Sequence, residues 1–215
     1  MRMLDLFCGR LGWGRAFAAR GWDVVGIDLT MPGPEFIPEG VTIIQRDILT
    51  IDAEWVRRNR FDFICASSPC EQFSLFGLPH FHPNPLYPGM GIKLFNHTRE
   101  LAEKSGRPYV MENVKPSQNF VGRAANHCGP FYLWGNAVPP LLPQGITKGV
   151  KMGSGSAIKG MTKEQKCAYR KKFECLQVGG KSRARAAFTS QWATIPPELA
   201  SCVADYAERI LEQAA

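Results

Sequence analysis

Short apolar runs alternate with helix-like stretches through the first two thirds of this sequence, and that alternation restricts the fold more than any single motif. "MRMLDLF" (1–7), "WDVVGID" (22–28), "VTIIQRD" (41–47), "FDFICAS" (61–67), "RPYVMENV" (107–114) and "FYLW" (131–134) read as strands. "WGRAFAARG" (13–21), "DAEWVRRN" (52–59) and "NHTRELAEKSG" (96–106) read as helices between them, the first and third closed by glycine. Strand–helix alternation of this kind predicts an α/β fold built on a doubly wound, mostly parallel sheet. Ligands of such sheets sit at the carboxyl ends of the strands, beside the switch in strand order. Every candidate motif falls at a strand's carboxyl end.

A chain of 215 residues with 45% hydrophobic composition buries one full core and leaves room for a small appendage. The 26 Lys and Arg against 19 Asp and Glu give a net charge of +7, which favours a polyanionic partner without requiring one. No stretch approaches the roughly 20 apolar residues that span a bilayer, and the first residues lack a signal-peptide pattern, so a cytoplasmic protein without membrane contact is expected. Seven cysteines without a CxxC pair read as thiols in a reducing compartment. No metal is expected, because a zinc site from Cys70, His80 and His82 would match no common ligand spacing. A monomer is expected.

"DLFCGRLGWG" (5–14) carries the first strand through a glycine-bearing turn into a helix. Gly9 and Gly12 let backbone approach a ligand, and the helix start favours a negative group such as a carboxylate. The second strand ends in Asp28, about 20 residues after the turn, where an acid accepts the hydroxyl hydrogens of a ribose. The third ends in Asp47, suited to an adenine amino group. The alternative is that both acids end strands as turn formers. Together, the turn and the acids point to a nucleoside-bearing cofactor.

These strings, with "SSPCEQFS" (67–74) and "MENV" (111–114), resemble in unbroken order the motifs of the DNA cytosine-C5 methyltransferases. The resemblance covers residues 1–115 and implies a Rossmann-like methyltransferase sheet and S-adenosyl-L-methionine as cofactor. It implies that Phe7 stacks on adenine, that Gly9 and Gly12 shape the methionine end, and that Asp28 and Asp47 hold the nucleoside. Asp5, Cys8, Arg10, Leu29, Ile48, Ser68 and Pro69 complete the implied cofactor site. Cys70 becomes the nucleophile: cytosine C5 is a poor nucleophile until a thiolate adds to C6, and the loop must favour that thiolate over a thiol of pKa about 8.5. Glu112 becomes the partner of the base at N3. The target base must be flipped out of a duplex or be single-stranded.

The match departs from the family in several places. Ser68 stands where a first proline is usual, Glu71 where glutamine is common and Leu11 where a second glycine is expected. Arg10 occupies a position that is usually small. It is expected to pair with the cofactor carboxylate or face solvent, or else to pair with an acidic group on a variant cofactor, so that something other than methyl is transferred. The Gln-x-Arg-x-Arg motif is not visible after "FYLW"; Arg183 and Arg185 are candidate substitutes. "GNAVPPLLP" (135–143) and "TIPPELASCVADYAERIL" (194–211) compete for the last motif, and the second is favoured for its terminal helix. The loop "GLPHFHPNPLYPGMG" (77–91) either closes over a flipped base or is a passive surface segment.

The expected organisation is a catalytic domain at 1–143, a basic insert at 144–190 and a returning helix at 191–215. Residues 144–186 hold eleven Lys and Arg against two Glu, a net charge of +9, with a basic helix expected over 162–174. Cations beside a base-modifying site read as phosphate contacts, so Lys163, Arg170, Lys171, Lys172 and Lys181, with Ser74, are the candidate nucleic-acid ligands. The expected activity is methyl transfer to cytosine C5 in DNA. A tRNA cytosine-C5 methyltransferase and a non-catalytic nucleic-acid binder on a degenerate methyltransferase fold remain alternatives.

Overall fold

The computed structural model describes residues 1–70, 72–73, 89–146, 162 and 194–214. Two compact units divide the chain, Met1–Ile146 with Ile195–Ala215, and Thr147–Thr194. The sheet and all the described helices belong to the first unit. The basic helix expected over 162–174, residues 77–88 of the loop, Ser74, Lys163, Arg170, Lys171, Lys172, Lys181, Arg183 and Arg185 lie outside the described residues.

Seven strands form one sheet: β1 (Arg2–Leu6), β2 (Asp23–Asp28), β3 (Val41–Gln45), β4 (Phe63–Ser67), β5 (Tyr109–Asn113), β6 (Asn126–Cys128) and β7 (Phe131–Trp134). Their order is β3-β2-β1-β4-β5-β7-β6. β1 to β5 are parallel, and β7 runs antiparallel between β5 and β6. The fold is the expected doubly wound, mostly parallel α/β sheet. Strand order reverses between β1 and β4, so the crevice for a ligand opens where Phe7–Gly14 and Ser67–Cys70 leave the sheet.

The helices are α1 (Gly14–Ala18), α2 (Ala53–Arg58), α3 (Gly89–Ser105), α4 (Gln118–Val121) and α5 (Pro197–Ala214). Strand side chains alternate between two cores. Leu4, Leu6, Ile64 and Met111 pack with Val56 of α2 and Phe95 and Leu101 of α3. Met3, Phe63, Cys65 and Val110 pack on the other face with Phe17 of α1 and Leu199, Val203 and Ala207 of α5. Burial of each large aliphatic side chain contributes about 1.5–3 kcal/mol. Polar contacts tie α5 at its rim: Arg20 bonds Asp205 at 2.6 Å, and the Trp22 indole donates to Glu208 at 3.0 Å.

Three local features differ from the sequence reading. β6 is a seventh strand; its three residues Asn-His-Cys carry no apolar alternation, and pairing with β7 defines it. α3 begins at Gly89 rather than residue 96, so the end of the Gly- and Pro-rich loop is helical. Gly91 packs closely there: a β-carbon would lie 3.1 Å from the Phe73 ring, which would have to shift to admit it. α1 is shorter than the stretch 13–21, ending at Ala18 before a turn to Gly21.

Gly135–Ala137, the start of "GNAVPP", serves the amino end of β5. The Asn136 side chain accepts from the Tyr109 backbone N–H at 2.9 Å, and the Ala137 N–H donates to the Tyr109 carbonyl at 3.2 Å. This segment therefore lies at the end of β5 opposite Glu112 and Asn113.

Candidate active site

The turn after β1 is built from left-handed backbone. Phe7, Gly9 and Leu11 have φ of 57°, 47° and 59°. Two of these are not glycine, and each such residue stores about 1–2 kcal/mol of strain that packing must offset. Leu11 is fully buried. The strained turn is tied down by two acids. Asp28 accepts from the N–H of Gly9 through Oδ2 and from that of Thr30 through Oδ1, both at 3.0 Å. Asp5 accepts from the Gly14 N–H at 2.9 Å through Oδ2. That bond occupies an amide of the short α1, which limits the anion site expected at its start.

The other oxygen of Asp5, Oδ1, is buried and has no hydrogen-bond partner. Burial pushes the Asp5 carboxyl well above the ordinary carboxylate range, the Gly14 bond opposes that shift, and the charge of Asp28 adds to it. Cys8 lies beside this acid. Its N–H donates to Ile27 at 3.1 Å, its carbonyl accepts from Leu11 at 2.6 Å, and burial raises its thiol pKa strongly, reinforced by Asp5 and Asp28. Cys65 is likewise raised by burial and by Asp5. Neither thiol is suited to act as a nucleophile.

Along the strand ends, Asp47 accepts from the Leu49 N–H at 2.9 Å and begins a 3-10 turn over Ile48–Thr50. His97 of α3 contacts the carbonyls of Ile48 and Ile51 through Nε2 at 3.0 and 3.1 Å, which fixes this turn to α3. Ile48 is buried, whereas Leu29, following Asp28, is 65% exposed. The Arg10 guanidinium sits 4.5 Å above the Phe36 ring. Arg15 lies 5.9 Å from the same ring and donates to the Phe36 carbonyl at 3.0 Å.

Ser67 of β4 is the register partner of Glu112 on β5. The Trp13 indole donates to the Ser67 hydroxyl at 2.9 Å. One residue on, the Asn113 side-chain nitrogen donates to the carbonyl and to the hydroxyl of Ser68, both at 3.0 Å, while its oxygen accepts from the Val114 N–H at 2.8 Å. Asn113 is fully buried and Glu112 nearly so. Pro69 is exposed; Cys70 is half-buried and rests against the core. Beyond it, the Gln72 side chain accepts from the Gly91 N–H at 2.7 Å, and buried Phe73 faces Phe120 at 6.0 Å. The turn bearing Cys70 is thus anchored to β5 on one side and to α3 on the other.

The structure brings Asp5, Phe7, Cys8, Gly9, Arg10, Gly12 and Asp28 to the end of β1 and β2, Leu29, Asp47 and Ile48 to the ends of β2 and β3, and Ser68, Pro69, Cys70 and Glu112 to those of β4 and β5. Sequence reasoning missed Asn113, His97, Trp13 and Phe36. The available signal for Asn113 was an uncharged polar residue inside an apolar strand. Among the described residues no group of three or more His, Cys, Asp and Glu is placed to hold a metal ion, and no helix is long and apolar enough to cross a membrane.

No protein-family model matches this sequence, and no curated protein matches it. Solved structures resemble the fold. The S. pombe Dnmt2 methyltransferase has 16% identity and a TM-score of 0.41, covering 57% of this chain and 37% of that one. The Burkholderia thailandensis 1,6-didemethyltoxoflavin-N1-methyltransferase, with S-adenosylhomocysteine bound, has 18% identity and a TM-score of 0.33, covering 62% and 53%. The Thermotoga maritima UDP-glucose 4-epimerase has 16% identity and a TM-score of 0.34, covering 49% and 34%. This chain thus spans little more than a third of the Dnmt2 chain. These neighbours differ in the chemistry their names state.

Proposed function

We propose that this protein transfers a methyl group from S-adenosylmethionine to C5 of cytosine in DNA, through a covalent bond between Cys70 and C6 of the base. The observation that carries this reading is the Asn113–Ser68 contact, which holds the Ser-Pro-Cys turn of β4 against the Glu-Asn end of β5. A half-buried thiol just past β4 and a buried carboxyl on β5 then belong to adjacent strands, next to the switch point between β1 and β4.

The residues at the strand ends fit the cofactor. S-adenosylmethionine carries a ribose diol and an adenine amine as hydrogen-bond donors, and the chain offers Asp28 and Asp47 at successive strand ends. Asp5, buried and with its carboxyl pKa raised, braces the turn beneath the cofactor through the Gly14 N–H. Phe7, Leu29 and Ile48 supply apolar surface for the adenine. When bound, the cofactor supplies an electrophilic methyl group on a sulfonium.

In this reading the Cys70 thiolate forms a bond to C6 and the ring π electrons shift to C5. Glu112 holds N3 by a hydrogen bond or a proton, stabilising the electron-rich ring. C5 then takes the methyl group as its bond to the sulfonium breaks, leaving a neutral thioether. Transfer of the C5 proton to solvent water re-forms the C5–C6 double bond and expels the thiolate. Arg183 and Arg185 are proposed to polarise the base in place of the Gln-x-Arg-x-Arg arginines not visible after "FYLW". Ser74, Lys163, Arg170, Lys171, Lys172 and Lys181 are proposed to hold phosphates.

Incubation with S-adenosylmethionine and either DNA or tRNA, followed by nucleoside mass spectrometry, tests the proposal. 5-Methylcytosine in DNA is the expected product. Product in tRNA alone would reassign the substrate, a heavier adduct at C5 would indicate a variant cofactor, and absence of any product with retained nucleic-acid binding would leave a non-catalytic binder.

A further inference from the structure

Across the carboxyl edge of the sheet one row of residues runs outward from the proposed active site. Asn113, which grips Ser68, is the register partner of Tyr132 on β7, and Tyr132 is the partner of His127 on β6. Two strand spacings, about 10 Å, separate Asn113 from His127. The rings of His127 and Tyr132 stack, with centroids 4.9 Å apart and planes 14° from parallel. Tyr132 is half-buried against the α3-side core, whereas His127 is exposed. β7 runs back from the carboxyl edge, so the short Gly129–Pro130 turn projects on the side where Cys70 leaves β4.

The surrounding sequence is free of acids. From residue 113 to 146 the chain holds Lys115, Arg123 and His127 and no Asp or Glu. Lys115, just past β5, and Arg123 are exposed. A nucleobase meets a ring face already backed by a second ring, and a phosphate chain passing it meets no carboxylate from this segment.

Resting on the cytosine-methyltransferase reading, we propose that the His127–Tyr132 stack is a platform for an unpaired base of single-stranded DNA, next to the nucleotide that enters the active site. Base stacking on an aromatic face is tolerant of sequence and requires the base to be unstacked from its own strand. The platform therefore selects single strands over duplex. It also gives the short β6–β7 hairpin a role in holding substrate.

The test is fluorescence anisotropy with a labelled 12-nucleotide single strand containing one cytosine, the matching duplex, and the same strand with one abasic site beside the cytosine. His127→Ala should weaken single-strand binding by about 5- to 100-fold and leave duplex binding unchanged. His127→Phe should retain wild-type affinity, because it keeps the ring. The abasic strand should bind wild type more weakly than the intact strand and should bind His127→Ala no more weakly than the intact strand does. Equal single-strand affinity of wild type and His127→Ala overturns the platform, as does an equal loss for strand and duplex. His127 is an exposed side chain, and circular dichroism of the variant checks its fold. None of these readouts needs catalysis. Binding that follows the ring without any methyl transfer defeats the enzyme reading alone, and normal transfer with ring-independent binding defeats the platform alone.

Discussion

The Asn113 side chain donates to both the carbonyl and the hydroxyl of Ser68 at 3.0 Å, and through that contact β5 positions the turn that carries Cys70. Asn113→Ala leaves a buried carbonyl, a buried hydroxyl and the Val114 N–H unpaired. The expected loss is about 1–3 kcal/mol of stability, with a fall in kcat of about 100-fold from a displaced nucleophile. Ser68→Ala removes one of the two acceptors and leaves the carbonyl in place, so it should cost under about 1 kcal/mol. Thermal melts and single-turnover rates of the two variants check the contrast. Equal effects would mean that the contact has no positioning role.

Much of this fold was legible because short, near-continuous apolar runs separated by helix-like stretches build a mostly parallel sheet buried on both faces. The turn after β1, Asp28, Asp47 and the Pro-Cys turn stand at strand ends as their spacing requires. The unread parts depend on contacts between distant residues. Asn113 finds Ser68 from 45 positions away, and His97 reaches Ile48 from 49. β6 exists because β7 offers it a ladder, and Gly91 at the start of α3 packs against Phe73 from 18 positions away. The left-handed backbone at Phe7 and Leu11 was equally hidden, since neither residue type favours it.

Gly135 and Gly21 separate backbone strain from steric exclusion. Both have positive φ, 130° and 77°. A β-carbon at Gly21 meets nothing within 4 Å, whereas at Gly135 it would run into the Tyr109 carbonyl, which Ala137 also holds in place. Gly21→Ala should cost about 1–2 kcal/mol, the strain of a β-carbon in left-handed backbone. Gly135→Ala should cost more than about 4 kcal/mol and reduce soluble yield. Denaturant titration measures both, and a mild Gly135 variant would contradict the described packing.

Asp5 predicts a pH-dependent stability. Its folded-state pKa is raised by burial, so the folded chain holds the Asp5 proton where the unfolded chain has released it. Stability from this group is full below the unfolded carboxyl pKa, about 3.9, and declines as pH rises towards the folded value. Asp5→Asn keeps an acceptor for the Gly14 N–H and cannot ionise. Its melting temperature relative to wild type should therefore improve steadily from pH 4 to pH 8. A constant or reversed difference would show that the buried oxygen is ionised and paired.

Asp28 and Asp47 should differ in cofactor binding. Asp47→Ala is expected to weaken S-adenosylmethionine binding by about 1–3 kcal/mol, from one lost partner. Asp28→Ala should weaken it further, because Asp28 also holds the N–H groups of Gly9 and Thr30. Titration calorimetry checks both, and unchanged affinity in both variants would refute the assignment.

Cys70 is tested most directly by DNA carrying 5-fluorocytosine. Addition of the thiolate to C6 followed by methyl transfer leaves fluorine at C5 where a proton would have departed, so elimination stops and enzyme and DNA stay bonded. Cys8 and Cys65 do not compete for this role, since burial holds both thiols far above neutral pH. Cys70→Ser should abolish the adduct, because a hydroxyl is far less nucleophilic near pH 7. Glu112→Gln should slow trapping without abolishing it, since the amide cannot pass a proton to N3 while the nucleophile is intact. The measurement is a denaturant-stable protein–DNA band that requires both cofactor and Cys70. If wild type methylates cytosine C5 and Cys70→Ser does so at the same rate, the covalent mechanism is wrong, and another group must activate the base.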